Sequence, residues 1–87
     1  MSAKVVMYSK TTCPYCHRAE QVLRERGVND LEIIQIDIER SRRAEMIERA
    51  NRSTVPQIFI DDEHVGGCDD LVALDRAGGL VPLLQRQ

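Results

Sequence analysis

The sequence predicts an α/β fold: a four-stranded mixed sheet with helices on both faces, in the order β-α-β-α-β-β-α. Three observations carry this. Two apolar strand-like runs, at residues 5–8 and 31–38, flank a segment of helical periodicity, which makes a parallel βαβ unit. Two shorter runs, at 57–60 and 63–66, meet at Asp61-Asp62 and read as a hairpin. Two more helical patterns lie between and after these units, and no repeat, low-complexity stretch or linker interrupts them. With 87 residues, one domain spanning residues 1–87 with one modest core is expected.

Each element has its own local reason. Val5-Val6-Met7-Tyr8 is apolar and partly β-branched, and Ser9-Lys10-Thr11-Thr12 closes it. Pro14 suits the first helical position, where its missing N–H costs nothing. Ala19, Val22, Leu23 and Arg26 follow at helical spacing, and Gly27 offers a stop. The run at 31–38, LEIIQIDI, is too apolar and too rich in isoleucine for a surface helix, so it reads as a second, largely buried strand. Ser41 to Glu45 reads as a capped helix start, with Met46, Ile47 and Ala50 on the apolar side and an end near Asn51. Asp69 and Asp70 ahead of Leu71, Val72 and Leu74 favour a third helix start, and Gly78-Gly79 interrupts that helix. The sheet should bury Val5, Met7, Ile34, Ile36, Ile58 and Ile60, which is the thioredoxin-like layout.

Composition narrows the function classes. Hydrophobic residues at 43% and charged residues at 30% describe a globular chain rather than a disordered one. A net charge of −2 lacks the basic excess of a phosphate-binding surface, so no nucleic acid partner is expected. No apolar run suits a signal peptide or a membrane span, so a cytoplasmic protein without a membrane partner is expected. In that compartment thiols stay reduced, and a C-x-x-C is more often catalytic or metal-binding than a structural staple. Cys13, Cys16 and Cys68 allow at most one internal disulfide.

The stretch CPYCH at residues 13–17 admits a redox pair, half a zinc site, or a covalent haem tether. Haem needs export and a largely helical chain around the porphyrin, whereas this motif follows a strand. Structural zinc needs four ligands, and only Cys68, His17 and His64 remain to supply the second pair. A C-x-x-C opening the helix of a βαβ unit is the thioredoxin-like redox signature. Cys13 falls where unpaired backbone N–H groups and the helix dipole favour a thiolate, and Lys10 adds positive charge nearby. Cys16 lies one turn on, at a separation a disulfide can span, and less exposed. Cys13 is therefore the expected nucleophile and Cys16 the resolving thiol. A stabilised thiolate is more abundant but intrinsically weaker, and these effects nearly cancel, so the gain falls on its departure from a mixed disulfide.

CPYC with Lys10 upstream, TVPQIFID at residues 54–61 and GGCDD at 66–70 resemble the glutaredoxins, specifically the small bacterial dithiol class, over nearly the whole chain. The resemblance implies a glutathione-dependent thiol-disulfide oxidoreductase. It would reduce protein disulfides, remove glutathione from protein mixed disulfides, and be recycled by reduced glutathione as co-substrate. It implies a monomer with no metal, whose partners are glutathione and disulfide-bonded or glutathionylated proteins. On the matching positions, Cys13 would form the mixed disulfide with glutathione and Cys16 would close the intramolecular disulfide. Tyr15 would flank the glutathione sulfur, and Lys10 would pair with a glutathione carboxylate. Thr54, Val55 and Pro56 would present extended backbone to the cysteinyl part, with Val55–Pro56 cis. Gly66 and Gly67 would let the chain turn and come close. The amides of Cys68 and Asp69 would bind the γ-glutamyl carboxylate, with Asp69 or Asp70 taking its ammonium group.

The remaining residues read more plainly. Cys68 is expected as a small, partly buried residue, and His17 and His64 as solvent-facing ones. The charged run at 39–43 reads as a solvated face from which Arg42 or Arg43 would help to hold glutathione or a partner. Two alternatives remain. One is a carrier in which two chains hold a [2Fe–2S] cluster through Cys13 and two glutathiones; the monothiol branch that favours it resembles C-G-F-S, from which Pro14, Tyr15 and Cys16 depart. The other is a zinc-binding interaction module. The absence of tryptophan and of a W-C-G-P-C-like motif argues against an ordinary thioredoxin.

Overall fold

The structure, a computed structural model, describes residues 3–85. Its hub is β1 (Val5–Ser9), which pairs in parallel with β2 (Leu31–Gln35) and antiparallel with β3 (Gln57–Ile60). Antiparallel to β3 lies β4 (Glu63–Gly66), so the strand order is β2-β1-β3-β4. The helices are α1 (Pro14–Glu25), α2 (Arg42–Ala50), α3 (Cys68–Arg76) and α4 (Leu80–Gln85). This is the mixed, thioredoxin-like sheet that the sequence predicts.

Side chains alternate across a strand, and here the alternation divides the interior in two. Val5, Met7, Ile58 and Ile60 face α1, α3 and α4 and pack with Ala19, Leu23, Leu71, Leu80 and Leu84. Tyr8, Ile34 and Phe59 face α2, where they join Ile36, Met46 and Ala50. All six predicted sheet residues are buried. The hairpin turn also matches: Asp61 and Asp62 have φ of 50° and 66°, the pair of left-handed residues that a two-residue type I′ turn needs.

Three expectations need correction. The second strand stops at Gln35 rather than Ile38: the Ile36 N–H still donates to the Ser9 carbonyl at 2.9 Å, but the N–H groups of Ile38 and Glu39 fold back onto Gln35. Ile38, freed from the sheet, is exposed. Ser41 does not cap α2 with its side chain, because it already has helical backbone angles. A helix beyond Gly78-Gly79 was not expected, and α4 forms because Leu80 and Leu84, one turn apart, both reach the core. Pro82 is tolerated there because it sits in the first turn, where N–H groups have no partner within the helix.

Candidate active site

The thiols sit where β1 gives way to α1. Between them, Thr11 donates from its backbone N–H and its hydroxyl to Asp37 Oδ2, at 3.1 and 2.5 Å, tying this turn to the loop after β2. Those donations hold the Asp37 carboxyl below the usual carboxylate range. Cys13 is the extended N-cap of α1, with Pro14 opening the first turn. Its Sγ accepts the Cys16 N–H at 3.2 Å, a contact that stabilises negative charge on that sulfur.

The two thiols differ in setting. Cys13 is partly exposed, whereas Cys16 faces inward and is 2% exposed. Burial first, and then contact with Cys13, pushes the Cys16 thiol up to about 11. Cys16 therefore stays protonated at neutral pH. Cys68, the first residue of α3, is buried more fully than expected, and burial raises its thiol too.

Beside Cys13 lies a groove of about 220 Å³ lined by Tyr15, Arg52, Thr54, Val55, Pro56, Gly67, Cys68, Asp69 and Asp70. Every expected glutathione-contacting residue except Lys10 lines it; Lys10 is exposed and its charge lies near Asp37. Tyr15 stands 62% exposed at the rim. The Val55–Pro56 bond is cis, as the resemblance implies. Asp70 organises the far wall, with Oδ2 accepting the Gly67 N–H at 2.9 Å and Arg52 Nη1 at 2.8 Å. Arg52 and that N–H hold the Asp70 carboxyl below its ordinary value. The need for glycine falls on Gly66, whose φ is +118° and whose added Cβ would lie 2.3 Å from Asp70 Oδ2. Gly67 has an extended conformation instead.

Arg52 and His64 are the residues that sequence reasoning missed. Arg52 is a cation two residues before Thr54, and the acidic pair Asp69-Asp70 was the signal that it had a partner. His64 is not solvent-facing, as expected, but half-buried: its ring stacks on Phe59 at 4.9 Å and its Nε2 meets Gln57 Oε1 at 2.7 Å. The hairpin register, which sets His64 opposite Phe59, was the signal there. Burial, followed by the Arg52 charge, lowers the His64 pKa. His17 is exposed, as expected. Arg42 is committed elsewhere, since it donates to both Glu45 oxygens on α2, and neither Arg42 nor Arg43 lines the groove.

A larger hollow of about 440 Å³ lies over α2, but it holds no thiol and its charges pair among themselves: Lys4 with Glu32, Arg42 with Glu45, Arg49 with Asp62. Among the described residues no three His, Cys, Asp or Glu side chains converge as a metal-holding group.

A partly exposed cysteine capping a helix and a buried one a turn later, on this sheet, fit the class of dithiol oxidoreductases, proteins that exchange their own thiols against disulfides. The sequence model of the family described as Glutaredoxin matches residues 5–65. Glutaredoxin 3 of Escherichia coli (strain K12) is 58% identical over 83 residues, covering 95% of this chain and 99% of that one. The glutaredoxin of Pseudomonas aeruginosa is 52% identical over 80 residues, covering 92% and 94%. The crystal structure of a buckwheat glutaredoxin-glutathione complex matches with a TM-score of 0.86 at 34% identity, over 94% of this chain and 76% of that one. The chain belongs to the glutaredoxin family and is a glutathione-dependent thiol-disulfide oxidoreductase.

Proposed function

We propose that Cys13 is the nucleophile, Cys16 the resolving thiol, and the groove beside them the seat of glutathione. The observation that carries this reading is the junction of the two parts: a partly exposed sulfur that accepts an amide N–H, next to a groove with both signs of charge. Glutathione brings two carboxylates and one ammonium group. The amides of Cys68 and Asp69 at the start of α3 suit one carboxylate, Arg52 suits the other from the groove wall, and Lys10 adds positive charge from outside. Asp69 and Asp70 suit the ammonium. Thr54, Val55 and Pro56 offer extended backbone to the cysteinyl unit, and Tyr15 covers its sulfur.

Two exchange cycles follow. With a glutathionylated protein, the Cys13 thiolate attacks the glutathione sulfur and the protein thiolate leaves. A second glutathione thiolate then attacks the glutathione sulfur of the mixed disulfide, releasing glutathione disulfide and freeing Cys13 as thiolate. With a protein disulfide, Cys13 forms a mixed disulfide with the substrate; Cys16 loses its proton to the departing sulfur, bonds to Cys13 Sγ, and the substrate leaves as a dithiol. Burial keeps Cys16 protonated in the reduced protein; one glutathione thiolate then opens the Cys13–Cys16 disulfide and a second releases glutathione disulfide, which returns both cysteines as thiols. Residues 1–87 act in this reading as one domain and a monomer on glutathionylated and disulfide-bonded proteins. The cytoplasm, where reduced glutathione is plentiful, is the expected place of work.

Kinetics of Cys16→Ser beside Cys13→Ser test the assignment. Loss of Cys16 should spare exchange with glutathione mixed disulfides and abolish reduction that needs both thiols. Loss of Cys13 should abolish both. Persistent turnover in Cys13→Ser reverses the roles.

A further inference from the structure

We infer that His64 is a positioning residue for the glutathione seat, holding Thr54, and with it the Val55 backbone, through the buried side chain of Gln57. This rests on the reading of Thr54, Val55 and Pro56 given above.

Gln57 is wholly buried and its amide is engaged at both ends. Its Nε2 donates to the Thr54 carbonyl at 3.0 Å and to Thr54 Oγ1 at 3.3 Å; its Oε1 meets His64 Nε2 at 2.7 Å. The direction of this chain follows from chemistry. A carbonyl oxygen only accepts, so the Gln57 nitrogen must face Thr54 and its oxygen must face His64. That oxygen in turn only accepts, so His64 Nε2 must carry the hydrogen. Protonation of the ring would not break the contact, because imidazolium also donates from Nε2; Arg52, on the segment above, disfavours that form and Asp70, on α3, favours it.

Nothing in the packing alone calls for these residue types. An apolar ring at position 64 would stack on Phe59 as well, and an apolar chain at 57 would fill its buried place without the cost of desolvating an amide. A wholly buried amide and a half-buried ring whose described side-chain hydrogen bonds run only to each other and to Thr54 serve the segment they end on. Thr54 is exposed, so water competes for its carbonyl and hydroxyl, and the buried amide is the fixed end of the tie. Remove the His64 donor and Gln57 Oε1 is left without a partner, and the amide is free to turn away from Thr54.

The test compares His64→Phe, which keeps the stacking and loses the donor, with His64→Gln, which restores an N–H at similar reach. His64→Phe should raise KM for a glutathione mixed disulfide by roughly 3- to 10-fold while kcat stays within about twofold. His64→Gln should recover most of it, and Gln57→Leu should cost about the same as His64→Phe with no further loss in the double variant. Unchanged KM in His64→Phe, failure of rescue, or additive single effects would each overturn the inference. Should His64→Phe not fold, the nitrogen shifts of the His64 ring in the native protein decide: a hydrogen on Nδ1 alone at neutral pH sinks it, and one on Nε2 supports it. Glutathione titrated into the native protein separates the two levels. If the amide signals of Val55 and Gly67 do not move, the seat itself is misplaced; if they move while His64→Phe keeps its KM, only the role of His64 fails.

Discussion

The sulfur half of the site, residues 10–16, and the groove half, residues 52–57 with 64–70, hold their working groups by different means. In the sulfur half the decisive atom is placed by backbone: Cys13 caps a helix, its Sγ takes one amide N–H, and a buried neighbour one turn on completes the pair. In the groove half placement is shared among side chains. Asp70 gathers Arg52 and the Gly67 amide, and Gln57 links His64 to Thr54. Under the proposed assignment, chemistry that needs one sulfur at one point can rely on a helix terminus, whereas recognition of a flexible, charged tripeptide spreads over many weak contacts. Changes in the first half should act nearly all-or-none, and changes in the second by degrees.

The sharpest way to break this contrast lies within the sulfur half. A thiol at about 11 is ionised in about one molecule in 10,000 at pH 7, so neutral alkylation of the reduced protein should spare Cys16. Mass spectrometry of protein treated with iodoacetamide should find the label on Cys13, with Cys16 joining only as pH approaches its raised value. Cys68, buried and raised as well, should label slowly at neutral pH. Equal labelling of Cys13 and Cys16 at pH 7 would remove the asymmetry on which their separate roles depend.

The contrast also governs what could be read from sequence. The sulfur half was legible because its signals are local: an apolar run, a polar turn, a proline at the first helical position and two cysteines one turn apart. The sheet was legible for the same reason, and its six core residues were named correctly although the fold divides them between two faces. What stayed hidden depends on partners distant in the chain. Arg52 meets Asp70 and His64 meets Gln57 only after the hairpin and α3 have folded back. The fourth helix was hidden because its two buried leucines, Leu80 and Leu84, gain their stability from the core rather than from any propensity of LVPLLQ. The end of β2 was misplaced because Ile36 is buried like a strand residue while its chain has already begun to turn.

In the groove half, Asp70→Asn should have a graded effect. It weakens the ties to Arg52 and the Gly67 amide together, and KM for glutathione mixed disulfides should rise by roughly 5-fold with kcat little changed. The pH dependence has a definite sign. The folded-state value of Asp70 is depressed, so its contribution to stability is present above the ordinary aspartate value of about 4 and disappears as pH falls through the folded value. Denaturant midpoints at pH 7 and pH 3 should therefore converge in Asp70→Asn relative to the native protein. Asp37, Glu45 and Asp75 are depressed as well, so part of the acid sensitivity should persist in the variant.

The smallest effect is expected from Lys10, which belongs to the sulfur half by sequence but lies outside the groove lining. Its ammonium is exposed, and the nearby Asp37 charge is its alternative partner in the free protein. An ion pair formed by glutathione must displace water and compete with that aspartate, and exposed pairs are weak on both counts. Lys10→Ala should raise KM by no more than roughly 2- to 3-fold at low salt, and the difference should shrink as ionic strength brings the screening length below the separation of the charges. Kinetics at two salt concentrations check this. A large, salt-insensitive loss in Lys10→Ala would mean that the lysine swings into the groove when glutathione binds, and the two halves would then share a working group.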